Sequence, residues 1–170
     1  MGKGTMHIRK AEAKDITTIL RFIRNLAEYE NLAHQVEATE ARLLRFGFGD
    51  LPYFHALLAE REGQAIGMAF YFFTFSTFLG RPTLYVEDLF VLPEYRRSGV
   101  GRALMAALAT IARAHDCGRM EWAVLDWNEP AQRFFRSIGA QAHPEWRLHR
   151  LEEEQIRLLA EENNSIEQKV

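Results

Sequence analysis

The stretch Val91-Leu92-Pro93-Glu94-Tyr95-Arg96-Arg97-Ser98-Gly99-Val100-Gly101-Arg102-Ala103-Leu104 decides how the chain is read, because a β-prone run ends here in a glycine-containing loop that opens a helix. Val100, Leu104, Leu108 and Ile111 recur at helical spacing and form one apolar stripe, so a helix is expected from Gly99 to about His115. The first turn of a helix carries main-chain N–H groups with no partner inside the helix, together worth roughly half a positive charge. Glycine lets an anion approach that main chain with no Cβ in the way. Arg96, Arg97 and Arg102 add formal charge to the same loop. The loop therefore reads as a phosphate cradle. Its spacing is neither that of a Walker loop nor the Gly-x-Gly-x-x-Gly of a dinucleotide fold, and neither pattern occurs elsewhere in the chain.

Working outward, Thr83 to Leu92 is the β-prone run that feeds this loop, and it is interrupted by Glu87-Asp88, two adjacent acids in an otherwise apolar strand. His55 to Glu60 and Ala65 to Thr74 read as a hairpin about Arg61-Glu62-Gly63-Gln64, and Leu79-Gly80-Arg81-Pro82 as the next turn. Toward the N-terminus, Met6 to Arg9 alternates as a strand. Asp15 then stands before Ile16, Ile19, Leu20, Ile23, Leu26 and Ala27 as the N-cap of a helix, and Thr39 caps a shorter one through Leu44. Downstream, Met120 to Leu125 is expected as a strand, Asn128-Glu129-Pro130 as the start of a helix stopped by Gly139, Trp146 to Leu151 as a last strand, and the tail from Glu152 as a surface helix. Residues 1–5 read as a loose end, residues 6–170 as one domain, with fraying expected from about residue 161. A meander followed by helix crossovers specifies an α/β domain: a mixed, mostly antiparallel sheet flanked by helices.

At 170 residues and 19.7 kDa the chain is one domain's length. Its composition, 48% hydrophobic and 26% charged, is that of a globular protein and excludes a disordered one. A net charge of −2 and a pI near 6.3 argue against nucleic acid as a partner. No apolar run reaches the ~20 residues of a membrane span, and the start lacks a hydrophobic signal core. The single Cys117 forms neither an internal disulfide nor a multi-thiolate metal site, which suits a cytoplasmic protein. The six histidines show no metal-ligand spacing, so no metal is expected.

Arg96-x-x-Gly99-x-Gly101 behind a strand bearing Glu87 resembles the acetyl-coenzyme-A pyrophosphate loop of the GNAT acetyltransferase superfamily. The stretches Leu26-Ala27-Glu28-Tyr29-Glu30, Gly47-Phe48-Gly49, Tyr71-Phe72-Phe73-Thr74, Tyr85-Val86-Glu87-Asp88, Pro93-Glu94-Tyr95-Arg96, Val124-Leu125-Asp126-Trp127-Asn128 and Gly139-Ala140 narrow the resemblance to the diamine (spermidine/spermine) and thialysine acetyltransferases. They occur in the same order from Met6 to about Leu151.

The resemblance implies direct transfer of an acetyl group from acetyl-CoA to a primary amine of a small cationic acceptor in a ternary complex. It assigns the pyrophosphate to Arg96, Arg97, Ser98, Gly99, Val100, Gly101 and Arg102, the pantetheine arm to the main chain of Leu89, Phe90 and Val91, and a further cofactor contact to Asn128. Tyr29, Glu30, Glu87, Asp88 and Glu145 fall on the acceptor side, and relatives of this kind are homodimers whose C-terminal strands cross between subunits. An amine of this type is protonated at neutral pH, so a carboxylate must take its proton. Strand alternation puts Glu87 and Asp88 on opposite faces, and Glu87 is the candidate base.

Two departures stand out. Phe135 occupies the position of the family's tyrosine acid and has no proton to donate, which leaves Tyr85 or Tyr95 as substitutes or a thiolate that leaves unassisted. Ser76 replaces an acid of the polyamine-acetylating relatives, which tilts the acceptor toward a short amine. Two alternatives stand beside this reading: a module that binds acyl-CoA or amines with little turnover, and an acetyltransferase of another amine such as a protein N-terminus.

Overall fold

The computed structural model describes residues 4–167, with side chains as far as residue 162. Residues 1–3 of the expected loose end, and the outermost part of the tail expected to fray, lie outside the described residues. Strand β1 (Met6–Lys10) is followed by α1 (Ile16–Tyr29), α2 (Glu40–Phe48), β2 (His55–Arg61), β3 (Gln64–Ser76), β4 (Arg81–Val91), α3 (Val100–Ala114), β5 (Arg119–Glu121), α4 (Glu129–Ser137) and α5 (Glu153–Glu167). The five strands form one sheet in the order β1-β2-β3-β4-β5. Neighbours among β1 to β4 are antiparallel, and β5 lies parallel to β4. This is the mixed, helix-flanked sheet that the element order specifies.

Local chemistry explains most boundaries. Glu62 and Gly63 both have positive φ, 52° and 76°, which is the conformation a tight hairpin turn requires between β2 and β3. The Arg42 N–H donates to Thr39 Oγ1 at 3.2 Å, capping α2. Asp15 stands at the start of α1, but its carboxylate makes no cap bond to that helix. It accepts instead from Arg9 at 2.7 and 2.8 Å and from the Glu12 N–H at 2.8 Å, tying the helix entrance to β1.

Side-chain alternation sorts the two faces of the sheet. Ile19, Leu20 and Phe22 of α1, with Leu43 of α2, pack in one cluster with Ala56, Leu58, Met68 and Phe90. On the other face Gly67 lets α3 close in: a Cβ there would stand 3.0 Å from the Phe90 carbonyl oxygen and 3.2 Å from Val100. That contact fixes the start of α3 beside the end of β4.

Two expected elements differ. The strand expected over Met120–Leu125 is confined to Arg119–Glu121, because its ladder with β4 stops at Tyr85↔Glu121. Trp146–Leu151 forms no strand. It carries the apolar alternation of one, yet Trp146 and Leu148 are 75% and 82% exposed, and no described strand pairs with it. The chain divides into two compact units, Met1–Asn128 with the whole sheet and Glu129–Val170 with α4 and α5.

Candidate active site

The cradle begins where β4 ends. Pro93–Tyr95 makes a single 3-10 turn, the main chain swings through left-handed Arg97 (φ 59°) and Gly99 (φ 90°), and α3 starts at Val100. No side chain caps this helix, and a Cβ at Gly99 would meet nothing within 4 Å. With no capping side chain on the helix and open space at Gly99, the first turn has room for an anion such as a pyrophosphate. Ser98 Oγ donates to the Tyr95 carbonyl at 2.6 Å and braces the loop from within. Arg97 and Arg102 are free of ion pairs among the described residues, and Arg96 and Arg97 are exposed. Arg96 through Arg102, the residues the resemblance leads one to expect at the pyrophosphate, all lie on this loop and the first turn of α3.

The middle of β4 is irregular. Phe70 stands opposite Asp88 while Tyr71 stands opposite Val86, so Glu87 is the extra residue of a β-bulge. The bulge defeats the alternation expected of the two acids: Glu87 and Asp88 both line one cleft of about 420 Å³ beneath α1. Ile23, Leu26, Ala27 and Glu30 form the α1 wall, and Leu32 with Gln35 to Ala38 forms the rest. Beyond Tyr85 no described strand pairs with the outer edge of β4, so the main chain of Leu89, Phe90 and Val91 keeps ladder partners on the β3 side alone. A thin arm can lie along such an edge as a strand would.

The electrostatics of the cleft centre on Asp88. Burial, then the charges of Glu87 and Glu30, push its carboxyl up to about 7, and burial also raises Glu30. Neither acid, nor Glu87, has a hydrogen bond or ion pair to another side chain among the described residues. These carboxylates suit a cation that brings its own charge. The wall from Leu32 to Ala38 was not singled out in the sequence; the signal was Glu37, an acid standing just ahead of the α2 cap.

Tyr29 does not line the cleft. Its ring lies under the Arg96 guanidinium, 4.7 Å from the ring centroid, and its hydroxyl donates to Asn128 Oδ1 at 3.3 Å. Arg96 Nε meanwhile donates to the Val91 carbonyl at 3.1 Å. Tyr85 stacks on Phe72 with 5.1 Å between centroids, and its hydroxyl is raised by burial and by Glu87 and Glu121. Tyr95 lies beneath the Arg61 guanidinium.

In the C-terminal unit, Phe135 packs on Phe134 within α4, whereas Glu145 is exposed and bonded to His143 at 3.0 Å. Arg133 and Arg136 both reach Glu129 of their own helix. No group of three metal-ligating side chains occurs among the described residues, and no described helix is long and apolar enough to cross a membrane.

A glycine-containing loop at a helix N-terminus, at the end of a bulged strand and beside an acidic cleft, is the arrangement the acetyltransferase resemblance leads one to expect. The chain matches the Acetyltransferase (GNAT) family over residues 20–140 and belongs to it. It is 41% identical over 164 residues to the thialysine N-epsilon-acetyltransferase of Bos taurus, across 90% of this chain and 96% of that protein. It is 38% identical over 189 residues to the L-ornithine N5-acetyltransferase of Arabidopsis thaliana, across 85% and 83%. The spermidine/spermine N(1)-acetyltransferase-like protein 1 of Homo sapiens is 37% identical over 88% of this chain, which corresponds to 23% of that longer protein. Among solved structures, an integron cassette protein from the mobile metagenome of V. cholerae superimposes with a TM-score of 0.76 at 27% identity, covering 91% of this chain and 97% of that one.

Proposed function

We propose that this protein transfers an acetyl group from acetyl-CoA to a primary amine of a small cationic acceptor, of the diamine, polyamine or lysine-like class, through an acetyltransferase domain spanning residues 6–170. The observation that carries the reading is the cleft: Glu30 at the end of α1 lines one space with Glu87 and Asp88, which stand on the strand that runs into the anion cradle. Relatives at about 40% identity named for thialysine and ornithine support an acceptor with a basic amine at the end of a short chain.

Each residue then has a task. The α3 N-terminus, Gly99 and the loop arginines hold the pyrophosphate, and the outer edge of β4 from Leu89 to Val91 aligns the pantetheine arm. Bound acetyl-CoA supplies the thioester that the amine attacks directly. Glu30 and Asp88 draw the ammonium into the cleft, and Glu87 with Asp88 receives its proton. Burial and the neighbouring acids raise Asp88 to about 7, near neutral pH, where a general base is most effective. Phe135 gives the leaving sulfur no proton, and a thiol with an ordinary pKa of ~8.5 is a serviceable leaving group without one.

The protein is further proposed to be cytoplasmic, in keeping with one cysteine, and homodimeric, in keeping with the unpaired alternation of Trp146–Leu151. Phe135 favours a second reading, a binding module of little turnover. Release of free thiol from acetyl-CoA against a panel of amines separates the two. Turnover with thialysine, ornithine or short diamines supports the transferase. Tight coenzyme A binding with no turnover of any amine supports the module.

A further inference from the structure

We infer that Tyr29 is a positioning residue of the cofactor site, holding Arg96 with its ring and Asn128 with its hydroxyl. The inference rests on the acetyltransferase reading. The resemblance puts Tyr29 beside Glu30 on the acceptor side, but at the end of α1 the two side chains part: Glu30 lines the cleft and Tyr29 does not. Tyr29 instead joins two segments that are far apart in sequence and that both belong to the cofactor side.

The first is the loop after β4. The Arg96 guanidinium is held at 4.7 Å over the Tyr29 ring and 5.8 Å over the Phe90 ring, and its Nε is committed to the Val91 carbonyl. An arginine anchored at both ends is a strut for the loop leading to Gly99, and it keeps its remaining N–H groups at a fixed place beside the cradle. The second is the turn that ends at Asn128. Asn128 is 7% exposed, its main-chain N–H donates to the Leu125 carbonyl at 2.9 Å, and its side-chain Oδ1 accepts from Tyr29. Trp127, one residue earlier, packs against the same tyrosine with 5.9 Å between centroids. A single α1 side chain therefore sets the separation between the cradle loop and Asn128, which is the span a bound coenzyme must bridge.

The test is calorimetric titration of coenzyme A, whose free thiol has nothing to transfer, into the full chain and four variants: Tyr29→Leu, Tyr29→Phe, Arg96→Ala, and the double variant Tyr29→Leu with Arg96→Ala. Tyr29→Leu should weaken binding about tenfold, because it removes both contacts, and Tyr29→Phe less, because it keeps the ring under Arg96. In the Arg96→Ala background Tyr29→Leu should cost clearly less than in the wild type, since a residue acting through Arg96 has lost its means. Unchanged affinity in Tyr29→Leu, or losses that simply multiply in the double variant, would overturn the inference. If Tyr29→Leu fails to fold, Tyr29→Phe decides against Asn128→Ala in the same way: a cycle with no coupling overturns the inference. Wild-type protein with no affinity for coenzyme A would overturn the acetyltransferase reading itself, whereas normal wild-type binding with indifferent Tyr29 variants would overturn this inference alone.

Discussion

Glu87 and Asp88, consecutive on β4, both line the cleft under α1, and Asp88 is the one that burial raises to about 7. A carboxyl raised above its unfolded value near ~3.9 keeps a proton in the native state that the unfolded chain has already lost. Its effect on stability is therefore fully felt above its native pKa: unfolding free energy should fall as pH rises from about 4 to about 7, by at most ~1.4 kcal/mol per pH unit. Glu30, raised by the same burial, acts in the same direction. Asp88→Asn should flatten this slope and match or exceed wild-type stability at pH 8. Urea unfolding at half-unit pH intervals checks it, and an unchanged slope in Asp88→Asn would remove Asp88 as its source.

The same titration should govern turnover. With Asp88 protonated below neutrality, kcat/KM should rise through pH 7, and Asp88→Asn should lower it at least tenfold while shifting that limb. Glu87→Gln should reduce kcat with coenzyme A binding intact. Undiminished kcat in both variants would leave the cleft without a base.

Gly99 is held at φ 90°, a conformation that costs a β-branched residue dearly, and the space in front of it is open. Gly99→Val should abolish measurable acetyl-CoA binding by turning the first N–H groups of α3 and by filling the approach to them. Calorimetry that found wild-type affinity in this variant would sink the cradle assignment.

Phe135 falls where the resemblance leads one to expect a tyrosine acid, so the wild-type rate should climb with pH and then level off, with no alkaline fall from that position. Phe135→Tyr should hold the neutral-pH rate or raise it by up to ~100-fold, the lower range for a positioned acid. An alkaline decline that disappears in Tyr85→Phe would identify Tyr85 as the acid instead.

Arg9 bridges Asp15 and Glu60, and Asp15 is 7% exposed. Hydrogen bonds from Arg9 hold the Asp15 carboxyl below its ordinary value, so this contribution is present at neutral pH and is lost as pH falls through that lowered pKa. Asp15→Ala leaves Arg9 short of one partner and should cost about 3 kcal/mol at pH 7, less in strong acid, by thermal unfolding.

The sequence read well where structure is decided locally. The Thr39 cap, the Glu62-Gly63 turn and the Gly99 helix start need only a few neighbouring residues, and each stands where its residues put it. Reading failed where a partner distant in the chain decides. The side of the strand taken by Glu87 depends on the fit of β4 to β3, which no alternation along β4 alone can report. The charge of Arg96 was plain, but its commitment to Tyr29 and the Val91 carbonyl comes from residues 67 positions upstream and five positions upstream, brought together by the fold. Trp146 to Leu151 has a strand's alternation and no described strand to pair with, and pattern without a partner is not a ladder.

The short ladder between β4 and β5 leaves the outer edge of β4 without a described ladder partner from the bulge to Phe90, just short of the Val91 carbonyl that Arg96 takes. An edge of this kind is a template for any extended chain, including a stray segment of another molecule. A pantetheine arm laid along that edge, as proposed, would exclude such intruders for as long as it stayed. The co-substrate that feeds the reaction would in that way also guard the protein against sticking to itself, and enzyme kept short of it would be the more prone to clump.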